Sequence, residues 1–144
     1  MTLIVEDGSG SASAESYISL AAADARHAAL GNAGWTGSDT VKEQALRRAT
    51  VYMVQAYRQR WQGVRATLDQ ALDWPRYGVE ADGRYVAGDS VPTDVANACA
   101  DLALRALTEA MLKTVIASCW DNGAEPSLVL CGSAVKQKIS SRSE

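Results

Sequence analysis

Between residue 38 and about residue 60, apolar residues recur at intervals of three and four, the spacing of one helix face, and Ser38 or Asp39 offers an oxygen to cap the first turn. The pattern predicts a long central helix with Ala45, Ala49, Tyr52 and Ala56 as its inward stripe. A shorter helix precedes it: Ser19 is a natural N-cap, and an Ala-rich run to Leu30 ends at Gly31-Asn32, a helix stop. A third begins after Pro92, which suits a first turn, and runs through Val95, Ala98, Leu102, Ala106 and Ala110 to near Ile116. Leu104, Leu107, Met111 and Leu112 widen its stripe, so this helix is either sandwiched between others or partly covered by another subunit.

The intervening stretches read differently. Residues 7–14, Asp-Gly-Ser-Gly-Ser-Ala-Ser-Ala, are small and polar, which predicts a flexible or extended arm, and residues 2–5 before them are strand-like. Residues 32–37 form a loop holding Trp35. Gly63 interrupts the central helix pattern, and Ala71, Leu72 and Trp74 make an apolar knot stopped by Pro75, read as a short helical turn with Trp74 in the core. Residues 77–80 and 84–87 are β-prone and flank Ala81-Asp82-Gly83, a hairpin signal. Near the end, Gly123, Pro126 and Gly132 break helices around a strand-like Leu128-Val129-Leu130-Cys131 run. The reading is a mostly α fold: a small helical bundle of three to four helices with a short β-hairpin near 77–87. An N-terminal arm (1–18) precedes the helical domain (19–116), and a C-terminal tail (117–144) follows it.

Composition narrows the function classes. At 144 residues with 47% apolar and 22% charged residues, the chain is sized for one globular domain with an ordinary core. No window is apolar enough to span a membrane, and the N-terminus lacks the basic and apolar regions of a secretory signal, so neither membrane nor export is expected. Cys99, Cys119 and Cys131 are odd in number and widely spaced, as suits reduced thiols in a cytoplasmic setting. The net charge of -3 lacks the basic footprint of a protein that neutralises many phosphates.

That total conceals a polarised chain. Residues 42–65 carry a net +5, between -4 over residues 1–41 and -6 over residues 66–131, with +2 over residues 132–144. The positive block holds Arg47, Arg48, Arg58, Arg60 and Arg65 with Tyr52, Tyr57 and Trp61 interleaved, the combination a single-strand groove uses. Because these arginines fall largely outside the predicted inward stripe, they form a basic face for solvent, a neighbouring subunit or DNA.

No catalytic constellation emerges. His27, the single histidine, sits among alanines and reads as a surface or partly buried helix residue rather than a base. His27 and the three cysteines lack the paired spacing of a zinc site. Gly8-Ser9-Gly10 completes neither a P-loop nor a dinucleotide fingerprint. Asp69, Asp73, Glu80, Asp82 and Asp89 lack a calcium-loop register and read as surface charge. Trp35, Trp61 and Trp74 read as core rings at element boundaries, and Trp120 as an interface anchor. No enzyme, cofactor or metal is expected.

Several stretches, taken together, resemble a family of tailed-bacteriophage head–tail connector or adaptor proteins, some of which bear the label of DnaT-like single-stranded DNA-binding protein. They are V-E-D-G-S-G-x-A-x-A-E-S-Y-I-S at 5–19, G-N-A-G-W at 31–35, K-E-x-A-L-x-R-A-T-x-Y at 42–52, Y-R-Q-R-W-x-G-x-R at 57–65, Q-A-L-D-W-P-R-x-G-V at 70–79 and V-P-x-D-V at 91–95. The resemblance covers residues 5 to about 112. It implies a mostly helical subunit of a ring, commonly of twelve copies, that docks on the portal protein and joins it to a tail or stopper protein. Double-stranded DNA would pass through without being read. It places the protein in the virion neck, with assembly in the host cytoplasm, and implies that the C-terminal tail reaches the portal. Val135-Lys136-Gln137-Lys138-Ile139 resembles a stretch that family members carry there. The portal or tail interface expected on this basis comprises Trp120, Leu128, Val129, Leu130, Val135, Lys136, Lys138 and Ile139. The insertion at 117–132 departs from the family pattern. The alternative, supported by the Arg/Tyr/Trp interleaving at 47–61, is a single-stranded DNA-binding module.

Overall fold

Capped helix starts and glycine stops set most of the architecture. The computed structural model describes residues 2–121, and three helices hold about half of the buried residues. Helix α1 spans Leu20–Ala29; the Ser19 hydroxyl accepts from the Ala22 N–H, and Gly31 turns the chain away in the left-handed region at φ 68°. Helix α2 spans Asp39–Tyr57, capped by Ser38 accepting from the Val41 N–H. Helix α3 spans Thr93–Asp121 and starts on the Pro92 carbonyl, which accepts from Val95 and Ala96. It therefore runs beyond Ile116, through residues read as the beginning of the tail.

Two small antiparallel ribbons lie between α2 and α3 in the chain. Strand β1 (Val64–Arg65) pairs with β2 (Arg76–Tyr77), with Val64 opposite Tyr77 and Arg65 opposite Arg76. Strand β3 (Glu80–Ala81) pairs with β4 (Arg84–Tyr85) around Asp82-Gly83, both at positive φ, the turn geometry that a D-G pair favours. The hairpin thus forms as read, but Tyr77 belongs to the first ribbon. Between β1 and β2 the chain bends without a helical turn. The Gln70 side chain organises this loop, accepting from the Thr67 N–H and donating to the carbonyls of Leu72 and Pro75. Gly63 enters β1 at φ 68°, where a Cβ would overlap the Tyr77 carbonyl.

The chain divides into two units, Met1–Glu109 and Ala110–Glu144. Within the first, Leu46 and Met53 of α2, Ala23 of α1 and Cys99, Ala100 and Ala103 of α3 form one buried cluster with Leu3, Tyr17, Ile18, Trp35, Leu72 and Trp74. Cys99 is buried with its sulfur 3.2 Å from Thr50 Oγ1. The described part of the second unit is the end of α3, where Met111, Leu112 and Val115 are exposed.

Four further sequence expectations are corrected. Tyr52 and Ala56 do not face the core. The buried face of α2 is Ala45, Leu46, Ala49, Thr50 and Met53, because Leu46 and Met53 are wholly apolar, whereas the Tyr52 hydroxyl would need a partner inside and is left to water. The glycine-serine segment is folded rather than a loose arm. Glu6, 3% exposed, accepts from the N–H groups of Gly8, Gly10 and Ser11 at 2.9–3.0 Å, and so gathers the loop around one carboxylate. His27 is fully buried, with Nε2 3.0 Å from the Ala100 carbonyl and Nδ1 3.0 Å from Asn32 Nδ2. Asp73 is buried rather than a surface charge, accepting from Arg58 Nε at 2.8 Å and Trp61 Nε1 at 3.3 Å.

Candidate nucleic-acid interface

The rotation of α2 decides what its basic residues can do. Arg47 is engaged with Glu15 at 3.1 Å and lies 3.9 Å from Glu43, Arg58 is engaged with Asp73, and Arg65 donates from Nη1 to the Gln70 carbonyl at 3.2 Å. Arg48 and Arg60 are exposed and make no ion pair or side-chain hydrogen bond among the described residues. The five arginines read as one basic face are therefore split between internal bracing and solvent.

The same rotation puts aromatic rings on the surface. Tyr52, about half exposed, meets Tyr57 edge-on at 6.3 Å between centroids; Tyr57 meets Trp61 at 6.0 Å, and Trp61 meets the buried Trp74 at 5.4 Å. This ladder runs from the core to the surface and braces Tyr52 through ring contacts. Beside it, Arg48, Ala49 and Tyr52 of α2 and Leu102, Arg105, Ala106 and Glu109 of α3 line an open groove of about 260 Å³. Arg105 is exposed and, like Arg48, has no ion-pair partner among the described residues. The groove thus sets two unpaired guanidinium groups, one carboxylate and one ring together, the parts list for holding a phosphate backbone and a stacked base. Sequence reading placed Arg48 correctly outside the core but missed Arg105. Arg105 is far from the basic block in the chain, and only the meeting of two helices brings it there.

Elsewhere the structure offers less chemistry. His27 stacks at 4.5 Å on Trp35, which donates to Asp24 at 2.6 Å, while Lys42 reaches the same carboxylate at 3.0 Å. Burial raises the proton affinity of Asp24, but the Trp35 and Lys42 contacts outweigh it and hold the carboxyl below its ordinary value. Among the described residues, no group of three or more His, Cys, Asp or Glu side chains is placed to hold a metal ion, and no helix is long and apolar enough to cross a membrane. Of the expected portal or tail interface, Trp120 falls in the last turn of α3, and Leu128, Val129, Leu130, Val135, Lys136, Lys138 and Ile139 lie outside the described residues.

A family described as "Putative DnaT-like ssDNA binding protein" matches residues 1–118, most of the chain. No curated protein and no solved structure matches it.

Proposed function

The chain belongs to the DnaT-like ssDNA-binding family, and on that premise we propose that it binds single-stranded DNA in the groove between α2 and α3. The observation that carries this reading is that Tyr52, Arg48 and Arg105 line one groove open to solvent. Tyr52 stacks on a base, and the two arginines meet the neighbouring phosphates. Two guanidinium groups against Glu109 give a weak, sequence-tolerant hold, because every base presents a π-face and the backbone carries no sequence information. The overall charge of -3 limits non-specific trapping of the polymer.

Fluorescence anisotropy of a labelled oligothymidylate, titrated at several salt concentrations, tests this. Tyr52→Ala is expected to weaken binding by about 1–3 kcal/mol, the usual value of one base–aromatic stack. Arg48→Ala with Arg105→Ala should flatten the plot of log affinity against log salt by roughly 1.4, since each single-strand phosphate contact contributes about 0.7. An oligonucleotide that fails to saturate the native protein, or binds it and both variants alike, rejects the groove.

A second reading is favoured by a different observation. Met111, Leu112 and Val115 form an exposed apolar strip near the end of α3, of the kind a neighbouring subunit covers. It fits a head–tail connector of a tailed bacteriophage: a ring on the portal, joining it to the tail and letting double-stranded DNA through. The family description lies closer to the single-strand reading. Native mass spectrometry separates the two: rings, or saturable association with a portal protein, support the connector, and a monomer that binds only oligonucleotide counts against it.

A further inference from the structure

Across the β1–β2 ribbon, Arg65 stands directly opposite Arg76. Like charges at facing positions destabilise a strand pair, so this placement asks what compensates it. Arg76 is only 7% exposed, and its guanidinium donates to three neutral carbonyls, those of Gln62, Gly63 and Asp73 at 2.8, 2.8 and 3.1 Å. Arg65 donates to the Gln70 carbonyl. Neither has a carboxylate partner among the described residues. The nearby carboxylate, Asp73, is engaged by Arg58 and Trp61. A nearly buried cation facing a second cation is costly unless an anion joins them.

These groups share a recess of about 390 Å³ lined by Arg58, Arg65, Arg76, Asp73, Thr67 and Gly63, among others. Three guanidinium groups against one carboxylate leave it net positive. Arg76 retains N–H donors beyond its three carbonyl bonds, Arg65 is exposed with one bond made, and the Arg58 side chain is about half exposed. Guanidinium forks match the oxygen spacing of a phosphate, so the recess has the charge and donor chemistry for one such group. We propose that the recess beside the β1–β2 ribbon is a phosphate-binding site, in which Arg65 and Arg76, with Arg58 at the side, hold one phosphate group. Burial lowers the proton affinity of Arg76, the Asp73 charge raises it and Arg65 lowers it again, a balance that a bound anion would relieve. The site does not rest on the α2–α3 groove, whose residues it does not share.

The ligand is either free phosphate or the phosphodiester of a nucleic-acid strand, and one experiment on the full chain distinguishes them. The arginine Nε–H resonances are followed by NMR while inorganic phosphate is titrated at constant ionic strength, with chloride as the control. Saturable shifts at Arg58, Arg65 and Arg76, absent with chloride and weakened about tenfold or more in Arg65→Gln, establish the site. Arg65 is exposed, so this variant retains its fold, and Arg65→Lys should keep part of the affinity. Shifts that do not saturate, that chloride reproduces, or that Arg65→Gln leaves unchanged overturn the proposal. The second arm adds oligothymidylate lacking terminal phosphates to the Tyr52→Ala protein, whose groove is weakened. The same three resonances shifting identifies the phosphodiester as ligand, and shifts with inorganic phosphate alone identify the free anion.

Discussion

A single buried carboxylate turns the glycine-rich N-terminal segment into structure. Glu6 accepts three backbone N–H bonds, and Gly8, at φ 101°, packs so close to Asp89 that a Cβ there would overlap its carbonyl. Small residues, which by composition suggest a loose arm, are here what lets the backbone curl tightly around an anion. Glu6→Gln keeps the shape but removes the charge from these bonds, and it is expected to cost about 1–3 kcal/mol, read as a lower urea midpoint at unchanged slope. An unchanged midpoint would show that the loop does not depend on the charge. Tyr17 makes a related contact: its hydroxyl accepts from the Asp73 N–H in the core, and burial pushes its ionisation well above the ordinary tyrosine value.

At the scale of elements, helix ends were the most legible feature because their signals are local. Ser19, Ser38 and Pro92 begin the three helices where their side-chain or ring chemistry predicts, and Gly31 ends the first. The facing of a helix is less local: α2 has apolar residues around more than one side, and tertiary packing chose Leu46 and Met53 over Tyr52. Between elements, Arg26 of α1 grips Asp101 of α3 through two parallel bonds at 2.9 and 2.8 Å. The Arg26 hydrogen bonds hold the Asp101 carboxyl below its ordinary value, with burial working the other way. A carboxyl depressed on folding adds stability above its unfolded value near ~3.9, and that contribution is lost as pH falls through the lower folded value. Asp101→Asn is therefore expected to be less stable than the native chain at pH 7, with the gap closing in acid. Denaturation midpoints compared across that range check this, and a gap that persists in acid would assign the loss to packing instead.

At the scale of the whole molecule, the buried core among the described residues runs from Leu3 to Leu107. Removing residues 122–144 is expected to leave a single cooperative unfolding transition; a broadened or lost transition would show that those residues belong to the folding unit. Charge behaves less simply than its total. The chain sum of -3 and the +5 of residues 42–65 are both readable from composition, yet they do not say which cations remain free. Arg47 and Arg58 are neutralised by Glu15 and Asp73, distant in the chain, while Arg105, outside the basic block, joins Arg48 at the groove. By itself, the sequence determined the three helices, the D-G hairpin and the mostly helical class, because caps, turns and periodicity act over a few residues. Only the tertiary structure decided which face of α2 is buried, that β1 pairs with β2, and which of the described arginines lack an ion-pair partner. Burial, strand pairing and ion pairing are set by distance through space, and residues far apart in the chain become neighbours only when it folds.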